Sequence, residues 1–246
     1  MWQQGGRYLL KQVDALQHGN EVNEQMQYLA SKCDPYMPCT AAADNFLDVV
    51  VQLEIDRSRA LRLVLKTHQV IRSSTKMSAE AWNEHMMLII SASRAHIKYT
   101  VLKCFTEYLA TLPTTISEPL RLVLDRMRSL FALSNIINPR SADALPFLET
   151  TSDKAPYLTS LHLDHIRALV NTLLEQLLAN IIALTDAWGF TDASLCSALG
   201  MYDGNVHGNT MRWVEQMPTN KDAAHTGWNS FVDPILKGEV ALKARL

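Results

Sequence analysis

The feature that most limits the fold of this chain is where its helix breakers fall. In 246 residues there are nine glycines and nine prolines, gathered at a few places. Between those places run long stretches whose apolar residues recur at helical rather than strand spacing. From about Ala41 to Arg72, Phe46, Val49, Val50, Leu53, Ala60, Leu61, Val64, Leu65 and His68 form one stripe at i, i+3, i+4, i+7 positions. Asp56, Arg57, Arg59, Arg62 and Lys66 then belong to a solvated, mixed-charge face. No segment alternates in the manner of a strand.

Further helices are expected on either side. Trp2 to His18 is amphipathic and stops at Gly19, and Asn20 caps a short helix through about Ser31. Pro35 and Pro38 interrupt the chain and mark a boundary. Ser78 to Leu112 predicts one long helix, with Trp82, Met86, Ile89, Ser93, His96, Ile97, Thr100 and Cys104 on one side. Ser117-Glu118-Pro119 starts another that runs to about Ile137. Arg140 to Tyr157 is an irregular loop, and Leu158 to Trp188 is apolar nearly all round, as in a bundle centre or an interface. Thr191 caps a short helix that ends at Gly200, and further helices follow at Val206–Gln216 and near Asp222–Val232. The expected fold is all-α, an up-and-down helical bundle of long antiparallel helices with short helices appended. Residues 1–36 are expected to close a preceding helical domain and its connector, 37–233 to form the bundle, and 234–246 to be a flexible tail.

Composition narrows the function. Hydrophobic residues make up 48% and charged residues 20%, with a net charge of −2. Nothing in that balance favours a nucleic-acid partner. No apolar run is long enough to span a membrane, and the N-terminus lacks signal-peptide regions. Cys33, Cys39, Cys104 and Cys196 form no Cys-x-x-Cys pair and are expected as reduced thiols packed like small hydrophobes.

The eight histidines raise a metal question. His162 and His165 are three apart with Asp164 between them, but no second ligand pair accompanies them, so no metal site is expected. His85 and His96 share a helix face and are expected as satisfied core or interface histidines. Gly5-Gly6 is only a doublet in a helical context, and no nucleophile, base and oxyanion set assembles. No catalytic residue is expected in this chain. Ala244-Arg245-Leu246 follows the small–basic–leucine form of a peroxisomal address.

Thr185 to Val206, which includes Asp186-Ala187-Trp188 and Tyr202-Asp203-Gly204-Asn205-Val206, resembles the C-terminal signature of peroxisomal acyl-CoA oxidases. Cys196 stands where the family has a glycine, and His207 where it has a tyrosine. Trp213, Pro218 and Asn220 fall at the family's tryptophan and proline-x-asparagine. Ala92-Ser93-Arg94-Ala95-His96 and Gln4 to Lys11 resemble two upstream family helices in the right order.

That resemblance implies FAD-dependent oxidation of a fatty acyl-CoA to the trans-2-enoyl-CoA, with oxygen reduced to hydrogen peroxide. It implies a homodimer and a peroxisomal import receptor as partners. It also implies that the glutamate base, the β-barrel and most of the flavin pocket lie in N-terminal oxidase domains before Met1. Gln4 matches a helix that lies close to the neighbouring subunit's flavin in the related dehydrogenase fold, and Gln3 could serve equally. A stand-alone, non-catalytic helical interaction protein of the peroxisome is the alternative expectation.

Overall fold

A computed structural model describes residues 2–30, 37–137, 147, 156–221 and 223–238. The connector expected around Pro35, most of the expected loop at 140–157 and the C-terminal tripeptide lie wholly or largely outside these residues. Among the described residues all regular structure is helical. The chain divides into two compact units, Met1–Ile181 and Ile182–Leu246.

The first unit holds α1 (Trp2–Gln17), 3-10 helices at Glu24–Ala30 and Ala43–Leu47, α2 (Val49–Ser73), α3 (Ser78–Glu84), α4 (Met86–Ala110), α5 (Glu118–Ile137) and α6 (Ser160–Leu178). Four of these helices are long, as the spacing predicts. α2 packs chiefly on α4, α5 on α6, and α1 against α4 and α2.

Local chemistry explains several ends. The Asp48 carboxylate accepts the Val50 amide at 2.8 Å and caps α2. Thr159 caps α6 through the His162 amide at 3.2 Å, and His162 Nδ1 accepts the Thr159 amide at 3.3 Å in return. Burial and the nearby His165 lower the His162 pKa, which suits its role as a neutral acceptor.

Two apolar cores fill this unit, and α2 contributes to both. One gathers Leu9, Val13, Tyr28, Leu61, Val64, Ala92 and Ala95. The other gathers Phe46, Ile55, Leu133, Ile136, Phe147, Leu158, Ile166 and Val170.

The structure departs from the sequence reading at specific places. The segment from Asn20 forms a 3-10 helix only from Glu24. Val50 is 68% exposed, because it lies in the first turn of α2, while Phe46 enters the core from the preceding 3-10 helix. The helix expected over Ser78–Leu112 is broken at His85, whose φ and ψ are −101° and 18°. On α4 the buried residues are Ile89, Ala92, Ser93, Ala95 and Leu102, whereas Ile97 and Cys104 are exposed. Small residues are selected there because α1 and α2 pack closely against this face. The helix expected to reach Trp188 ends at Leu178, and a separate α7 (Ile181–Asp186) follows Asn180, whose amide bonds the Leu177 carbonyl at 2.9 Å.

The second unit continues with α8 (Asp192–Leu195), a 3-10 helix at Ala198–Gly200, α9 (Val206–Gln216), α10 (Pro218–Lys221), a π-helix at Ala223–Val232 and α11 (Asp233–Leu236). Cys196 is exposed here, so the expectation of packed thiols fails for both Cys104 and Cys196. The polar tail expected from Pro234 begins inside α11. Of its described apolar side chains only Ala198 is buried.

Candidate functional site

α1 sorts its residues by helical period. Gly6, Leu9, Leu10 and Val13 face inward, while Gln3, Gln4, Arg7, Tyr8 and Lys11 are exposed. Gln4, Arg7, Tyr8 and Lys11 are i, i+3, i+4 and i+7 and therefore form one open stripe. The Arg7 guanidinium lies over the Trp82 ring of α3, 5.3 Å from its centroid.

The glycine doublet has a packing role that the sequence alone did not reveal. A Cβ on Gly6 would sit 2.3 Å from Ile89 Cγ2, whereas one on Gly5 would meet Ser93 Oγ at 3.7 Å. Gly6 is the position that lets α1 lie this close to α4.

Gln3, beside the open stripe of α1, adds a second exposed amide, so two amides and two cations are presented together as hydrogen-bond donors. All four side chains are solvent-exposed and enclose nothing by themselves.

The signature region folds into a turn-and-cap unit. Thr191 accepts the Ser194 amide at 3.3 Å and starts α8. The Asp192 carboxylate accepts the Tyr202 amide at 3.1 Å. Asp203 accepts the Asn205 amide at 2.9 Å, and the Asn209 side-chain amide donates to both its oxygens at 2.8 and 3.1 Å. Asn205 in turn accepts the Gly208 amide at 3.2 Å and caps α9. The Asp192, Asp203 and Asn205 acceptors are committed to backbone or amide donors, which gives these three residues a conformational role. Cys196, at the family's glycine position, has φ 47° and ψ 35°. This left-handed conformation accounts for a glycine at that position.

A polar cluster lies buried in the first unit, against the sequence reading. Asp56, Arg59 and Arg62 are inside and not on a solvated face. Arg59 pairs with Asp56, donates to the Asn135 carbonyl of α5 at 2.9 Å, and stacks over Phe147 at 5.2 Å. Arg62 lies over Tyr157 at 4.8 Å. Gln52 donates to the Phe46 carbonyl at 2.9 Å and accepts from Arg128 at 2.8 Å. Burial pushes the Asp56 carboxyl up, opposed by the charges of Arg59 and Lys98. Burial also pushes the Tyr157 phenol up to about 12. Long arginines with planar, stackable heads can enter a core in this way, and their helical positions alone do not disclose it.

Among the described residues no group of three or more His, Cys, Asp or Glu gathers to hold a metal. His96 Nδ1 and the Tyr28 hydroxyl share a hydrogen bond of 3.0 Å, and burial lowers the His96 pKa. His85 lies 3.9 Å from Glu84. His162 and His165 remain near neighbours, but His162 is used in the α6 cap. Ala244, Arg245 and Leu246 lie outside the described residues.

The family model for acyl-CoA oxidase matches residues 48–237. The chain belongs to the acyl-CoA oxidase family.

Among its relatives, peroxisomal acyl-coenzyme A oxidase 1 of Rattus norvegicus is 28% identical over 243 residues, covering 96% of this chain and 35% of the rat protein. Peroxisomal acyl-coenzyme A oxidase 2 of Oryctolagus cuniculus is 34% identical over 215 residues, covering 86% of this chain and 30% of its own length. The chain thus spans about a third of the length of the oxidases it matches.

The fold agrees. Arabidopsis thaliana acyl-CoA oxidase 1 superposes with a TM-score of 0.82 at 22% identity, over 97% of this chain and 35% of that one. Acyl-CoA oxidase-1 of Caenorhabditis elegans, solved in complex with FAD and ATP, gives 0.76 at 20% identity, over 95% and 34%. The all-α bundle is therefore the C-terminal helical fold of acyl-CoA oxidases.

Proposed function

We propose that this chain serves as the C-terminal portion of a peroxisomal acyl-CoA oxidase, which oxidises a fatty acyl-CoA to the trans-2-enoyl-CoA with FAD and molecular oxygen and releases hydrogen peroxide. The observation that carries this is the unbroken family match over residues 48–237 in a chain that spans about a third of its relatives.

Bound FAD would take up the reducing equivalents from the substrate and pass them to oxygen. The catalytic base and most of the flavin pocket are assigned to the N-terminal oxidase domains, outside this chain. The residues of this chain would contribute a rigid helical scaffold, dimer contacts and a single flavin-side contact. Gln4 is the residue assigned to that contact, with Gln3 as its equal. The exposed stripe formed with Arg7 and Lys11 supports this, since such donors suit a nucleotide edge reached from a neighbouring subunit. Ala244-Arg245-Leu246 would engage the import receptor and direct the assembly to the peroxisome.

Reconstitution tests the proposal. Co-expressed with the part of the rat oxidase that it does not cover, the chain should yield peroxide in proportion to added fatty acyl-CoA. The chain alone should yield none. Replacing Gln3 and Gln4 by Ala should weaken FAD retention by the complex, and removing the last three residues should abolish import of a fluorescent fusion. Peroxide production by the isolated chain would refute the assignment of the chemistry to the missing domains.

A further inference from the structure

α1 meets the bundle through an apolar stripe and one polar cluster. The stripe is Leu9, Leu10 and Val13, seated beside the close approach at Gly6. Apolar contact is non-directional, so a stripe of three residues does not by itself select one rotation or axial position of the helix.

The polar cluster does select one. Asp14 is the sole acidic residue of α1. One oxygen of its carboxylate accepts His68 Nε2 at 2.8 Å and Arg72 Nε at 3.2 Å, and the other accepts Arg72 Nη2, all three donors coming from α2. The Asp14 and His68 side chains are mostly buried, while Arg72 reaches in from the surface. A carboxylate held by three donors in fixed directions tolerates little rotation. Separating it from them in a partly buried place is costly. A slip of one helical turn would also move Gln4 by about 5.4 Å along the axis.

We infer that Asp14, His68 and Arg72 form a register clamp for α1, positioning the open face that carries Gln3, Gln4, Arg7 and Lys11. The consequence for flavin contact rests on the function proposed above, but the clamp itself does not. Its test therefore uses the 246-residue chain without flavin, so that either idea can fail alone.

Hydrogen exchange is measured on wild type, Asp14→Asn and Arg72→Lys. Asp14→Asn should speed exchange within residues 2–17 by about tenfold or more, the size expected for losing hydrogen bonds to a charged group. The amides of α4 and α5 should keep their rates. Arg72→Lys, which keeps the charge but replaces two directed donors by one flexible ammonium, should fall between wild type and Asp14→Asn.

Register is read separately by fluorine NMR after incorporation of fluorotryptophan, with the Trp82 signal assigned through Trp82→Phe. Because Arg7 of α1 stacks on Trp82, Asp14→Asn should shift or split that signal. Should Asp14→Asn fail to fold, Arg72→Gln removes the guanidinium charge from a side chain that is 59% exposed and gives the same two readouts. Exchange that rises equally throughout the chain, or an unchanged Trp82 signal, would overturn the clamp and leave Asp14 as an ordinary stabilising contact.

Discussion

Gly5 and Gly6 are neighbours in one helix, yet replacement by alanine should move stability in opposite directions. A Cβ at Gly6 would lie 2.3 Å from the stiff, β-branched Ile89 side chain, so α1 or α4 must shift. Overpacking of that kind costs about 1–3 kcal/mol, more than the roughly 1 kcal/mol that alanine gains over glycine in a helix. Gly5→Ala meets only ordinary contact at 3.7 Å and keeps the propensity gain. Thermal unfolding should show a lower midpoint for Gly6→Ala and a raised one for Gly5→Ala.

Asp14 gives a pH signature at the same scale. Burial raises its pKa, but the hydrogen bonds and charges of His68 and Arg72 outweigh this and hold it below the usual 3.8. Its folded pKa lies below its unfolded one, so its contribution is complete above about 3.8. That contribution is lost as pH falls through the lower folded value. Denaturant midpoints of wild type and Asp14→Asn should differ at neutral pH and converge in acid. A gap that persists at the lowest pH would contradict the sign.

At the scale of elements, α2 shows what periodicity can and cannot reveal. The helix and most of its apolar stripe follow from spacing, since Phe46, Ala60, Leu61 and Val64 are all buried. Asp56 and Arg59 carry the signal of a solvated face, but both side chains are fully buried. Their partners, the Asn135 carbonyl and the Phe147 ring, lie 76 or more positions away in sequence, which local pattern does not register. Arg59→Ala would take from the Asp56 carboxylate its hydrogen-bonded partner, leaving it the charge of Lys98, and should cost about 3 kcal/mol, whereas replacing both residues with well-packed apolar side chains should cost less. Chemical denaturation of the single and double variants separates the two outcomes. The break at His85 was illegible for another reason: neither glycine nor proline marks it. Asn180, a weaker helix former than its neighbours, offers only a faint signal for the end of α6.

The turn-and-cap of the second unit was legible in part. Thr191 is readable as a cap and Val206–Gln216 as a helix, whereas the cap that Asn205 supplies to α9 shows only in the fold. The pairing of Asp203 with the buried Asn209 is not, because it needs the folded turn. Gly208→Ala would place a Cβ 2.5 Å from the Asn205 side chain and displace the cap of α9. The lost cap costs about 1 kcal/mol, close to what alanine regains over glycine in a helix, so the change should show as faster exchange confined to the first turn of α9 with little shift in the unfolding midpoint.

On the scale of the whole molecule, the helical class and the family were legible because both rest on long or specific patterns. The flavin-side contact proposed for Gln4 is a position carried over from the family resemblance alone. The structure adds the open face of α1 and the polar cluster that fixes it to α2. Large apolar side chains remain exposed on the second unit, among them Trp188, Phe190, Leu199 and Tyr202. An isolated chain with such a surface should associate or aggregate with rising concentration, and light scattering should show this to be relieved when the part of the rat oxidase that this chain does not cover is supplied. These helices are proposed to complete a flavoenzyme that they do not constitute. The most direct measurement of this is the flavin content after gel filtration of three samples: this chain, the remaining part of the rat oxidase, and the two co-expressed. The two parts should co-elute, and full flavin retention should require both. Failure to co-elute, or equal flavin retention by the N-terminal part alone, would contradict the proposal.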